Sequence, residues 1–179
     1  MCRLLLFAAL AAAASTASSA QHGGHEHGHA VHVHEADAHD ARVPSGLSAE
    51  EVEGLLGGAG LGMARPAELH SYPGPLHVLE LAEPLGLTDD QQATAERLRA
   101  DMLAEAVPLG HQLVDAERTL DAVFASGAAT AADVERAVAQ AAAVRARLRS
   151  AHLRAHLAMR DALSPAQIAA YDRLRGHAD

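Results

Sequence analysis

Between Thr88 and Leu163 apolar residues recur with the period of a helix, and the only interruption is a short break at Gly127. Leu98, Met102, Leu109, Leu113, Leu120 and Phe124 fall on one face of a first helix running to about Ala125. Val144, Leu148, Ala151, Ala155, Met159 and Ala162 fall on one face of a second, which starts at Thr130 or Ala131 and runs to about Leu163. So short a break makes the two helices antiparallel neighbours, so the chain is expected to be all-α, built on a long antiparallel helical hairpin. Pro108 should bend the first helix, because it removes a backbone donor and crowds the preceding turn. Aromatic residues make up 2% of the chain, so Ala, Leu and Val must supply the core. That suits closely packed helices and suits a sheet badly, since sheets lean on aromatic and β-branched side chains.

Three capping boxes mark helix starts. Ser48 with Glu51 opens a short helix carrying Val52, Leu55 and Leu56, which Gly57-Gly58 stops. Thr88 with Gln91 opens the first long helix, and Ser164 with Gln167 opens a terminal one that ends near Gly176, with Pro165 at the favoured first-turn position. A loop rich in Gly and Pro, from Gly60 to Pro75, separates the first short helix from a second, His77 to about Leu85.

Residues 1–20 read as a secretory signal: Arg3, an unbroken apolar run from Leu4 to Ala14, then small residues at Ser18-Ser19-Ala20. The run is short for a membrane span, so cleavage is expected ahead of retention as an anchor. Residues 21–45 form a tail with His22, His25, His27, His29, His32, His34 and His39 and no large apolar residue beyond Val. Such a tail buries too little surface to fold alone and reads as disordered. Residues 46–179 form the helical domain. The sole cysteine, Cys2, lies in the signal, so the exported chain has neither a disulfide nor a thiolate ligand. A formal charge of −9, with arginine as the only strong base, argues against nucleic acid as partner. No Ser-His-Asp spacing, phosphate loop or HExxH occurs, and no enzyme activity is expected.

Leu87-Thr88-Asp-Asp-Gln91 opening one long helix and Leu163-Ser164-Pro-Ala-Gln167 opening the last resemble the LTxxQ pattern of the periplasmic Spy/CpxP family and its ZraP- and CnrX-like heavy-metal-resistance relatives. The second copy has Ser in place of Thr, which caps equally well. The resemblance covers roughly Gly74 to Gly176. It implies a helical hairpin, usually a homodimer with a concave surface, acting as an ATP-independent chaperone, an inhibitor of envelope-stress kinases, or a metal sensor or buffer.

Metal chemistry has two candidate locations. The tail histidines could gather zinc, copper or nickel, because imidazole is a borderline ligand and a flexible chain can bring several to one ion. His152 and His156, at i and i+4, stand one turn apart on one side of a helix, the spacing at which two imidazoles share an ion. Two surface histidines among arginines is the competing reading. Met159 could add a soft ligand or belong to the core; Glu105 could be a ligand or pair with an Arg of the facing helix. His70, His77 and His111 read as structural or surface residues.

Arg145, Arg149, His152, His156 and Arg160 form a basic stripe on the second long helix, while Leu153 and Leu157 give it a second apolar strip. A dimer interface or a cradle for unfolded clients would cover them. The expected function is that of a periplasmic metal-binding stress protein, either sensor or buffer. The alternatives are an ATP-independent chaperone of unfolded envelope proteins with an incidental tail, and an adaptor restraining a membrane-bound stress regulator.

Overall fold

The computed structural model describes residues 43–177, and among them every regular element is helical. In chain order these are α1 (Ala49–Leu56), α2 (Arg65–Glu68), α3 (Pro75–Glu80), α4 (Ala82–Leu85), α5 (Asp89–Ala125), α6 (Ala131–Asp161) and α7 (Pro165–Arg175). The signal and all seven tail histidines lie outside the described residues.

All three capping boxes form. Ser48, Thr88 and Ser164 each accept a hydrogen bond from the backbone N–H of the residue three positions on, and Glu51, Gln91 and Gln167 reach back to the cap. Gly127 takes a left-handed conformation after α5, and Thr130 caps α6 through the Asp133 N–H. The α5–α6 hairpin is the backbone of the molecule. Pro108 leaves α5 continuous from Asp89 to Ala125. It is exposed, as is Ala104, whose carbonyl loses its partner to the proline ring and can turn to water instead.

Two departures from the sequence reading concern the short elements. The segment expected as one helix from His77 to Leu85 is broken at Leu81 into α3 and α4. Pro84 supplies the reason, since its ring has no N–H for the Glu80 carbonyl and crowds it. Within the Gly/Pro loop, Arg65–Glu68 closes one helical turn with Pro66 in its first turn.

Two apolar clusters form the core. One joins α1 to the middle of the hairpin through Leu55, Ala106, Leu109, Leu113, Val144 and Leu148. The other ties α3, α4 and α7 to the base of the hairpin through Val78, Leu85, Ala95, Met159, Leu163 and Tyr171. Helix α1 comes so close to α5 at Gly110 that an added Cβ would fall inside the Leu55 carbonyl. Phe124 departs from the expected core face: it is 61% exposed, one residue before α5 ends at the tip of the hairpin.

The two LTxxQ segments meet. Gln91 Nε2 donates to Gln167 Oε1 at 2.9 Å, Gln167 Nε2 donates to Gln91 Oε1 at 2.8 Å, and Gln91 Nε2 also reaches the Ala162 carbonyl at 3.0 Å. Each glutamine thus caps its own helix and holds the other's amide. The start of α5 is fastened to the start of α7, closing the base of the hairpin.

Candidate metal cleft

The interval between the two core clusters is where the histidine pair lies. On α6, His152 and His156 fall between Leu148 of one cluster and Met159 of the other. The chain from Gly57 to Pro75 crosses over them as a strap, enclosing a cleft of about 520 Å³. Met102 and Leu103 of α5 form part of its wall, and Arg65 and Arg99 also line it.

His152 is 4% exposed and His156 7%, so the competing reading of two surface histidines does not hold. The cause is the strap, fastened at three points, one on α7 and two on α6. Ser71 Oγ donates to Asp172 Oδ2 at 2.7 Å, the Arg160 guanidinium lies 4.1 Å from the Tyr72 ring centroid, and the His156 ring meets the Tyr72 carbonyl. Ser71 is itself in the left-handed region, at φ 62°. Gly74 makes the overlap possible: a Cβ there would stand 2.8 Å from His156 Cε1 and 2.9 Å from Nε2.

The hydrogen bonding fixes the chemistry of each ring. His156 Nδ1 is 2.8 Å from the Tyr72 carbonyl oxygen, which can only accept, so Nδ1 carries the proton and neutral His156 keeps its lone pair on Nε2. A carbonyl holding the second ring nitrogen is the usual support of a metal-binding histidine. His152 Nε2 is buried and has no hydrogen-bond partner. Burial, and secondarily the neighbouring His156, pushes the His152 imidazole below its ordinary value and favours the neutral, ligand-competent ring.

Glu68 and His77 complete the lining. His77 Nδ1 stands 2.6 Å from Glu68 Oε1, and a Cβ on Gly74 would lie 3.6 Å from that same oxygen. Tyr171 is buried nearby; burial first, then the Glu68 charge, push its phenol up to about 12, so it remains neutral. Among the described residues no three His, Cys, Asp or Glu side chains converge on one point.

The other candidates are dispersed. Met159 is fully buried in the basal cluster, outside the cleft lining. Glu105 accepts two hydrogen bonds from Arg154, at 2.7 and 2.6 Å, on the outer surface of the hairpin. The basic stripe is not an open surface along its length: the strap covers both histidines, Arg160 lies under Tyr72, and Arg145 pairs with Glu117 at 3.3 Å. Arg149 stays exposed, Leu153 is half-buried and Leu157 is 52% exposed. Sequence reasoning missed Glu68, Arg65, Arg99 and Met102 and read His77 as isolated. Local spacing held no signal for them, because the strap returns to α6 across some 80 residues of chain.

A helical hairpin closed at its base by two interlocked capping motifs, with short helices strapped across it, defines the class. The chain belongs to the LTXXQ motif family, whose model matches residues 76–175, the Spy/CpxP-type family of typically periplasmic proteins. No curated protein and no solved structure matches the chain. No helix among the described residues is long and apolar enough to cross a membrane.

Proposed function

We propose that this Spy/CpxP-type chain is an exported metal-stress protein that binds a divalent transition metal (zinc, copper or nickel) through His152 and His156. It is read as a binding protein and not an enzyme, with the tail from His22 to His39 as a second collector of ions. The observation that carries the reading is the buried, unpartnered Nε2 of His152, one turn from a His156 whose Nε2 lone pair is also uncommitted. An unsatisfied buried nitrogen costs about 1–3 kcal/mol, which a metal ion would offset. Imidazole nitrogen suits these three metals.

The test is a calorimetric titration with zinc, copper and nickel, comparing the wild-type chain with one whose seven tail histidines are replaced by Ser. The substituted chain should retain about one tightly bound ion, and His156→Ala in that background should abolish it. Loss of all binding on tail substitution would sink the cleft as a metal site.

A second reading, an ATP-independent chaperone or a homodimer, draws on the exposed Phe124, Val138 and Leu157 of the hairpin. Suppression of client aggregation at near-stoichiometric ratio without metal would favour it.

A further inference from the structure

In a chain with 23 acidic residues against 14 arginines, carboxylates are in surplus, and along the hairpin the arginines take them. Arg97 pairs with Asp101, Arg118 with Asp115, Arg145 with Glu117 and Arg154 with Glu105. Arg65 and Arg99 depart from that pattern: both line the cleft, both are exposed, and neither has an acidic partner among the described residues. Glu68 also lines the cleft, but its carboxylate is 2.6 Å from His77 and committed there. Around the two guanidiniums the walls are apolar. Arg99 shares a face of α5 with the half-buried Met102 and Leu103, three and four residues on, while Leu61 of the strap and Leu76 just beyond it are exposed. At about 520 Å³ the cleft falls in the range of small-molecule sites, about 300–1,000 Å³, which are built the same way, from apolar walls and a few placed polar groups.

We propose that the cleft binds, without metal, a small organic carboxylate with an aliphatic body. Arg65 and Arg99 receive the carboxylate, and Leu61, Leu76, Met102 and Leu103 cover the body. The planar guanidinium fork matches a carboxylate in shape as well as charge. An inorganic anion would leave the apolar walls wet, and a neutral apolar molecule would leave the arginines unmet. An amphiphilic acid answers both, because each methylene that leaves water adds to the binding that the arginines begin. The two imidazoles take no part in this recognition. His152 Nε2 is buried away from solvent, and His156 Nδ1 is committed to the Tyr72 carbonyl. The inference therefore stands apart from the metal reading above.

The experiment titrates the full chain by calorimetry, in buffer stripped of divalent metal, with octanoate, with 1-octanol and with acetate. Octanoate should bind at one per chain, at least about tenfold tighter than either of the others. Arg65→Gln and Arg99→Gln should each weaken octanoate about tenfold and leave 1-octanol unchanged. Both positions are exposed, and circular dichroism checks that the helices persist. Octanoate should also slow amide exchange from Gly57 to His77 and around Met102, and not at the exposed Phe124 end of the hairpin. 1-Octanol binding as tightly as octanoate would overturn the proposal in favour of an apolar cleft that ignores the carboxylate. Acetate binding as tightly would overturn it in favour of a plain anion site. Several octanoates per chain, or one indifferent to both arginines, would mean adsorption elsewhere and would overturn it too, as would no binding at all.

Discussion

His152 pays for its position in protons. Its ring is neutral in the folded chain because burial and His156 disfavour the charged form, whereas in the unfolded chain it titrates near its ordinary value of about 6.5. Below that value the unfolded state binds a proton that the folded state refuses, so this contribution to stability is intact above it and is lost as pH falls. We expect the melting temperature to drop between about pH 7.5 and about pH 5.5, and His152→Gln to flatten that slope. Parallel slopes in the two proteins would show that the acid sensitivity originates elsewhere. Glu105 makes the opposite case. Its pair with Arg154, in which one guanidinium nitrogen meets both carboxylate oxygens, joins two half-exposed side chains, so Glu105→Gln should cost less than about 1 kcal/mol in urea unfolding. It should also leave metal affinity unchanged, since the pair lies on the outer surface of the hairpin.

At the scale of the elements, the capping motif does two jobs. The cap itself was legible in the sequence because it is contained in four residues: a hydroxyl at the start and an amide or carboxyl three positions on. The reciprocal Gln91–Gln167 pair was not, because it links side chains 76 positions apart. Removing the Gln167 amide by Gln167→Ala should destabilise the fold by about 2 kcal/mol, since it strips both the side-chain half of the capping box, Ser164 N–H to Gln167 Oε1, and the hold on Gln91. A double-mutant cycle with Gln91→Ala should return a coupling of about 1 kcal/mol; additive losses would mean that the two motifs act independently. Helix α1 depends on a different kind of contact. Gly110 is a poor helix residue that α5 tolerates because it seats the Leu55 carbonyl. Gly110→Ala should therefore cost about 2 kcal/mol or more despite its better helix propensity, and thermal unfolding measures it directly.

Across the whole molecule, the histidine cleft sits where the core is interrupted, between a central and a basal apolar cluster. The long helices bridge that gap by their own hydrogen bonding, while the strap bridges it with short turns and a few side-chain contacts. Elements held so lightly open before the global fold does. Backbone amides from Gly57 to His77 should exchange with solvent faster than those of the α5 interior around Leu109 and Leu113. Nickel bound beneath the strap should slow that exchange, whereas an effect confined to the tail would count against the cleft.

The sequence by itself determined the hairpin, its caps and the pairing of His152 with His156 on one side of a helix. All of these follow from residues within a turn or two of each other, where helical periodicity and capping chemistry operate. What only the tertiary structure decided was the environment of that pair. Whether two histidines lie on a surface or under a strap depends on where the chain from Gly57 to Pro75 returns. That path is set by contacts such as Ser71 with Asp172 and Tyr72 with His156, between residues 101 and 84 positions apart. Burial, tautomer and the nearness of Arg65 and Arg99 follow from the path, since each depends on what packs against the helix face and not on how the face is spelled.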